Sequence, residues 1–237
     1  MGIIHAIKAQ FRCCHTRRSD LASAGANASI QKPCYITSPE TMHMEENTVI
    51  RRGATILNNH HEHLYIKKYT VISTNCTIVT NNHKSTVGIP QCLLGASHVN
   101  DVSRNLTIAE DVFVGANVTI MSGGNLGRGC IVGACSLVTK PIPPYAIAVG
   151  SPARVVGVKF SLDQIIRHEE ILYPPEERMS REQLEELFST YYEGLNPYGV
   201  ETELSEDDIA HLDWAMNKRH FIQPKHHDIV FKAYSRN

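Results

Sequence analysis

The chain has no run approaching the roughly 18 apolar residues that a membrane span needs, and its opening, MGIIHAIKAQFRCCHTRR, lacks the apolar core and small-residue cleavage site of a secretory signal. Gly2 is not followed by the Ser or Thr at position 6 that myristoylation expects. It also has no charge of one sign to spare: 23 basic residues face 24 acidic ones for a net charge of -1, which removes the positive excess that drives binding to a nucleic-acid backbone. The seven cysteines, at 13, 14, 34, 76, 92, 130 and 135, include no C-x-x-C pair, and their odd number and scattered spacing argue against a disulfide framework. A reducing, cytoplasmic setting is the expectation. What remains is a chain of 237 residues, 42% apolar, long enough for one large domain with an appendage. Histidine is the exception to this plainness; there are 13, so any one of them has to be judged by its position.

Position is read from a repeat. From residue 108 an aliphatic side chain recurs every six residues: Ile108, Val114, Ile120, Leu126, Val132 and Val138. Four places after each stands a second set, mostly small or apolar: Val112, Val118, Gly124, Cys130, Ser136 and Ile142. The same step runs upstream through Ile66, Ile72 and Ile78, and more faintly through Ile30 and Ile36 and through Ile50 and Ile56. A helix repeats its apolar face every three to four residues and a strand alternates by two, so neither accounts for a period of six. Short strands separated by tight corners do. Wound into a parallel solenoid, they put one large side chain inside each strand and one small residue at each bend, and stacked turns share a core that no single turn could bury.

The stretch LTIAEDVFVGANVTIMSGGNLGRGCIVGACSLVTKPIPPYAIAVGSPARVV, residues 106 to 156, resembles the closing coils of the hexapeptide-repeat acyltransferases, and VTKPIPPYAIAVGSPARVV resembles the signature of their sugar and xenobiotic O-acetyltransferase branch. The resemblance implies a mainly β fold, a left-handed parallel β-helix of triangular section, over residues 26 to 158 with an extruded loop at 82 to 105. Left-handed winding is a departure from the usual right-handed crossover rule. Residues 1 to 25 are expected to form a short helical segment, with Ile3, Ile4, Ile7 and Phe11 at helical spacing. After Val158 the six-step stops. A helical extension over 159 to 237 is expected, with helices from Ser161 to Leu172, Ser180 to Tyr192 and Ser205 to Asn217; the last two open with a capping serine followed by acidic residues.

The repeat breaks between Ile78 and Ile108, and solenoids put function in such excursions because rigid coils hold the loop ends. Thr80-Asn81-Asn82-His83 resembles the Thr-x-x-His stretch of the sugar O-acetyltransferases, which makes His83 the expected catalytic base. A sugar hydroxyl is a poor nucleophile, and an imidazole near its own pKa can take its proton as it attacks the thioester of acetyl-CoA. His98, in the same loop, is the competing base and otherwise an acceptor contact, with Asn82 and Asn58 as further acceptor candidates. Asn58 and Asn59 stand equally well as corner residues that tolerate a left-handed backbone. By the same resemblance the backbone N–H of Ala116 is the oxyanion donor, and Ala134, Thr139, Lys140, Arg154 and Phe113 line the coenzyme path, with Phe113 where relatives commonly carry Trp. Lys140 and Arg154 suit a ligand that brings phosphates; as a bland alternative they are solvated surface charges.

The resemblance further implies a homotrimer with active sites between subunits, a saccharide or similar hydroxyl acceptor, acetyl-CoA as co-substrate and no required metal; the charge balance and the lack of long apolar runs add the expectation of no nucleic-acid partner and no membrane span. His60, His61 and His63 with Glu62 invite a metal reading, but adjacent side chains at a corner point different ways, so a solvated corner is the expectation. Cys76, Cys130 and Cys135 are expected as compact packing residues in or beside the interior. Three alternatives stay open: N-acetylation of an amino sugar, a zinc-dependent γ-type carbonic anhydrase relative, and a non-catalytic solenoid. The γ-type enzyme wants a histidine pair five residues apart, whereas His83 and His98 are fifteen apart.

Overall fold

A computed structural model describes residues 14–201 and 204–229. It divides into two compact units at the Val155/Val156 junction. The expected helix over Ile3, Ile4, Ile7 and Phe11 lies outside the described residues.

The first unit is a parallel solenoid with three faces. Strands Ser23–Ala24, Met42–Met44, Leu64–Ile66 and Leu106–Ile108 stack as the first face, continued by single bridges from Ile108 to Leu126 and from Leu126 to Ile142. Ser29–Ile30, Val49–Ile50, Val71–Ile72, Phe113–Val114, Ile131–Val132 and Ala146–Val149 stack as the second, and Tyr35–Ile36, Thr55–Leu57, Thr77–Val79, Thr119–Ile120 and Leu137–Val138 as the third. Each circuit of the chain visits the faces in that order, so residues three hexads apart become neighbours: Val114 registers with Val132, and Ile120 with Val138. The residues that share the period of six point inward. Ile50, Ile56, Ile66, Ile72, Ile78, Ile108, Val114, Ile120, Val132 and Val138 are all fully buried. Ala24 and Met44 complete the triplets 24–30–36 and 44–50–56, registering with each other and with Ile66.

The corners have a backbone requirement. Asn27, Asn47, Asn75 and Asn117 adopt left-handed φ values of 59°, 56°, 59° and 58°, and each stands directly before a buried residue: Ala28, Thr48, Cys76 and Val118. Asn tolerates this region better than other side chains, which explains its recurrence. Cys135 takes the same corner position at φ 60° and is exposed, so it is a turn residue and not the packing residue expected, whereas Cys76 and Cys130 are fully buried. Burial raises the Cys76 thiol, which keeps it protonated and inert. Gly115 answers a different need: a Cβ there would lie 2.6 Å from the backbone nitrogen of Ala134 in the next coil.

Outward side chains form ladders. On the first face His43 registers with Ser23 on one side and Tyr65 on the other. Its Nδ1 lies 2.9 Å from the Ser23 hydroxyl, its Nε2 lies 2.8 Å from Nδ1 of His63, and its ring stacks on Tyr65 at 4.7 Å. Desolvation first, then the nearby His63 and Lys67, hold His43 below its ordinary pKa. A basic group so depressed stabilises the fold fully above its unfolded pKa, and that contribution is lost as pH falls through the lower folded value. The urea midpoint should therefore fall between pH 7.5 and pH 5.5, and by less in His43→Gln; equal slopes in the two proteins would reject the assignment.

In the second unit the helical expectations are met closely. Helices α2 (Leu162–Leu172), α3 (Arg181–Tyr191) and α4 (Glu206–Lys218) follow α1 of the first-unit excursion, Gln91–Ser97. Ser161, Ser180 and Ser205 cap them, each accepting from the N–H three residues on, with Gln164, Gln183 and Asp208 returning the bond. Glu169 of α2 is buried, and its carboxylate accepts the N–H of Met179. Among the described residues, no helix is long and apolar enough to cross a membrane.

Candidate active site

The excursion leaves the solenoid after Thr77–Val79. Thr80 is fully buried at its root, donating its N–H to the carbonyl of Leu57 and accepting from the N–H of Arg104. Asn81–His83 and Asp101–Ser103 then pair antiparallel, in a register that sets His83 directly opposite Asp101. Directly opposed residues project to the same side of such a ribbon. Between them runs α1, anchored by the fully buried Leu94. The helix ends at His98, whose left-handed φ of 56° and N–H bond to the Leu94 carbonyl turn the chain back.

These elements bring three side chains together. His83 Nδ1 lies 2.8 Å from Oδ1 of Asp101, and His98 Nδ1 lies 2.8 Å from Oδ2 of the same carboxylate. The imidazole rings are 5.6 Å apart. Asp101 is 11% exposed, His83 33% and His98 60%, so the carboxylate is sheltered while both imidazoles reach solvent. The hydrogen bond from His83 above all, and then that from His98, hold Asp101 below the usual carboxylate range, so it is ionised at neutral pH. An ionised Asp101 accepts N–H from Nδ1 of His83. That tautomer leaves Nε2 bare as a proton acceptor, the state a general base requires. The group can thus take a proton from a hydroxyl or amine presented at Nε2.

Sequence reasoning missed Asp101. No spacing in the chain announces a carboxylate eighteen residues from His83 as its partner; the hairpin register decides it. The fifteen residues between His83 and His98 likewise do not keep them apart, since α1 folds the interval back on itself. Asn82 occupies the alternate position of the strand and is exposed, so strand alternation turns it away from the histidine pair.

Asn58 takes no part in this cluster. It is 5% exposed, its Oδ1 accepts from the N–H of Ser38, and its Nδ2 donates to the Ser38 carbonyl and the Thr41 hydroxyl. Its φ is not left-handed either, so it stands where it does to tie two coils together. Asn59 caps the following turn by accepting from the N–H groups of His61 and Glu62. The HHEH residues disperse: His60 pairs with Glu40, His61 is exposed, and His63 joins His43. Among the described residues, the one grouping of three potential metal ligands is His83, His98 and Asp101.

The residues expected along the coenzyme path sit on the outer surface of the late coils. Ala134, Thr139, Lys140 and Arg154 are exposed, and Phe113 is 47% exposed beside Val71 and Ile131 on the second face. The carbonyl of Ala116 accepts the N–H of Cys135 from the next coil. Exposed Lys140 and Arg154 leave both cations available to phosphate oxygens, a fit to the charge that CoA carries.

No family model matches the chain. Over 58 residues it is 45% identical to a chloramphenicol acetyltransferase of Morganella morganii, covering 24% of this chain and 28% of the relative. Over 64 residues it is 41% identical to a serine acetyltransferase of Escherichia coli K12, covering 27% and 23%. The chain thus spans under a third of the length of these relatives. Among solved structures, a galactoside acetyltransferase in complex with coenzyme A superposes with a TM-score of 0.56 at 22% identity, covering 75% of this chain and 87% of that one. A hexapeptide-repeat acetyltransferase of Vibrio cholerae complexed with acetyl-CoA gives 0.56 at 20%, covering 65% and 85%. A maltose O-acetyltransferase of Clostridium difficile gives 0.53 at 23%, covering 65% and 84%. The three-faced solenoid is the fold of these acetyltransferases.

Proposed function

We propose that this protein is a CoA-dependent O-acetyltransferase that moves an acetyl group from acetyl-CoA to a hydroxyl of a saccharide or similar acceptor, with His83 as general base. The observation that carries the reading is the Nδ1 contact of His83 with Asp101, which leaves Nε2 free. Its likeness to galactoside and maltose acetyltransferases, and to acetyltransferases complexed with CoA or acetyl-CoA, supports the donor and the acceptor class.

In the reaction, His83 Nε2 takes the hydroxyl proton as the oxygen attacks the thioester carbonyl. The backbone N–H of Ala116 donates to the oxyanion of the tetrahedral intermediate. The C–S bond breaks, the imidazolium returns its proton to the departing thiolate, and an acetyl ester and free CoA remain. Asp101 is a positioning residue, holding the imidazole tautomer and stabilising its charged form. Lys140 and Arg154 meet the coenzyme phosphates, Ala134, Thr139 and Phe113 line its path, and His98 faces the acceptor side, whereas Asn82, turned to the other side of the ribbon, does not. The coils wind left-handed. The working form is a homotrimer, a reading supported by the second face, whose outward ladder runs apolar from Val71 through Phe113 and Ile131 to Ile147. The compartment is the reducing cytoplasm, consistent with the buried, unbridged thiols of Cys34 and Cys76.

Thiol release from acetyl-CoA against a panel of sugars tests this reading. Wild type should turn over at least one of them. Asp101→Asn should lower kcat roughly tenfold or more with KM for acetyl-CoA unchanged, and Asp101→Glu should restore part of it. An unchanged kcat in Asp101→Asn would remove the positioning role, and silence of wild type on every sugar would remove the O-acetyl reading.

A further inference from the structure

We infer that His83, His98 and Asp101 also form a binding site for a divalent transition-metal ion, and that its occupancy switches the base off. One potential ligand atom from each of the three residues lies within 4.8 Å of the other two. Around a tetrahedral zinc ion, with bonds of about 2.0–2.1 Å, donor atoms stand roughly 3.3 Å apart. Each Nδ1 lies 2.8 Å from its own oxygen of the Asp101 carboxylate, about half an ångström short of that spacing, so the imidazoles must move outward by at least that much to admit the ion.

The three donors are held by backbone. His83 and Asp101 face each other across a paired ribbon, and His98 is fixed at the end of α1 by its left-handed turn and its bond to Leu94. Two imidazoles and one carboxylate suit zinc, nickel or copper, whereas magnesium and calcium prefer all-oxygen shells. With His98 60% exposed, solvent can fill the remaining coordination position.

The effect on catalysis follows from the tautomer and rests on the reading of His83 as base. A metal on Nδ1 of a neutral imidazole requires that nitrogen to be bare, so the single ring proton moves by exchange with water to Nε2. His83 then presents an N–H where it must present a lone pair, and it cannot take the acceptor's proton. No proton is gained or lost overall; the ion replaces two N–H···O bonds with three coordinate bonds.

The test uses untagged full-length protein and zinc alone, followed by calorimetry, with cobalt as a spectroscopic probe. One ion per chain should bind, with visible d–d bands for cobalt. His98→Ala and Asp101→Asn should each weaken binding at least tenfold, while His61→Ala, altered at an exposed corner, should bind as wild type does. Absence of one-per-chain binding, or undiminished binding in His98→Ala, overturns the site. Zinc should also abolish thiol release and a chelator restore it; saturating zinc with undiminished turnover overturns the switch. Binding without any transferase activity would sink the proposed function and leave the site standing. His83-dependent transfer in a protein that ignores zinc would do the reverse.

Discussion

His83→Ala should lower acetyl transfer by roughly 10²–10⁴-fold, the range that a general base contributes when it takes a proton in the transition state. The loss should fall on kcat, with KM for acetyl-CoA little changed, because the expected coenzyme contacts at Thr139, Lys140 and Arg154 lie on coils beyond the excursion. The fold should survive. His83 is 33% exposed on a two-stranded ribbon, and the ladders of Ile56, Ile78 and Ile120 do not depend on it. His98→Ala is the informative companion. If its turnover collapses while His83→Ala stays active, the base is His98, since both imidazoles lean on the same carboxylate by equal distances. Steady-state thiol release, with thermal unfolding of each variant as a control, decides between them.

Ile78→Ala should destabilise the solenoid by about 2–5 kcal/mol, the range for truncating a buried aliphatic to alanine. Ile78 is fully buried, and it stacks between Ile56 and Ile120 of the neighbouring coils, so the void opens to both. Neighbours cannot collapse into it easily, because each is pinned in register by parallel strand pairing. The position also stands two residues before Thr80, at the root of the excursion that carries His83. Activity should therefore fall with stability in this variant, whereas in Asp101→Asn it should fall alone. Denaturant unfolding gives the first quantity and thiol release the second. A cost below about 1 kcal/mol would mean that the coil relaxes in a way the register does not allow.

How far the chain could be read in advance depended on the range of the interactions involved. The solenoid was legible from Ile108 to Val138 because each coil repeats the same local problem, one large residue inside and one small residue at the bend. It was fainter upstream, where Ala24 and Met44 fill inward positions without looking like members of an aliphatic repeat. The last two helices after Val158 were legible because their starts are written in adjacent residues, a serine and its partner three places on. Asn58 has neither of the two roles its corner position suggests, acceptor contact or left-handed turn; its buried bonds to Ser38 and Thr41 give it a third, tying two coils together.

By itself the sequence determined the period, the sidedness of the strands that carry it, the caps of the last two helices and the segment in which the repeat breaks. Those are properties of residues within about a dozen positions of one another, where steric and hydrogen-bond preferences act directly. Only the tertiary structure decided that Asp101 stands opposite His83 and that His98 returns to share its carboxylate. That juxtaposition depends on the register of a hairpin closed across an inserted helix whose Leu94 is fully buried, and strand pairing over such an interval is settled by long-range packing that no local pattern records.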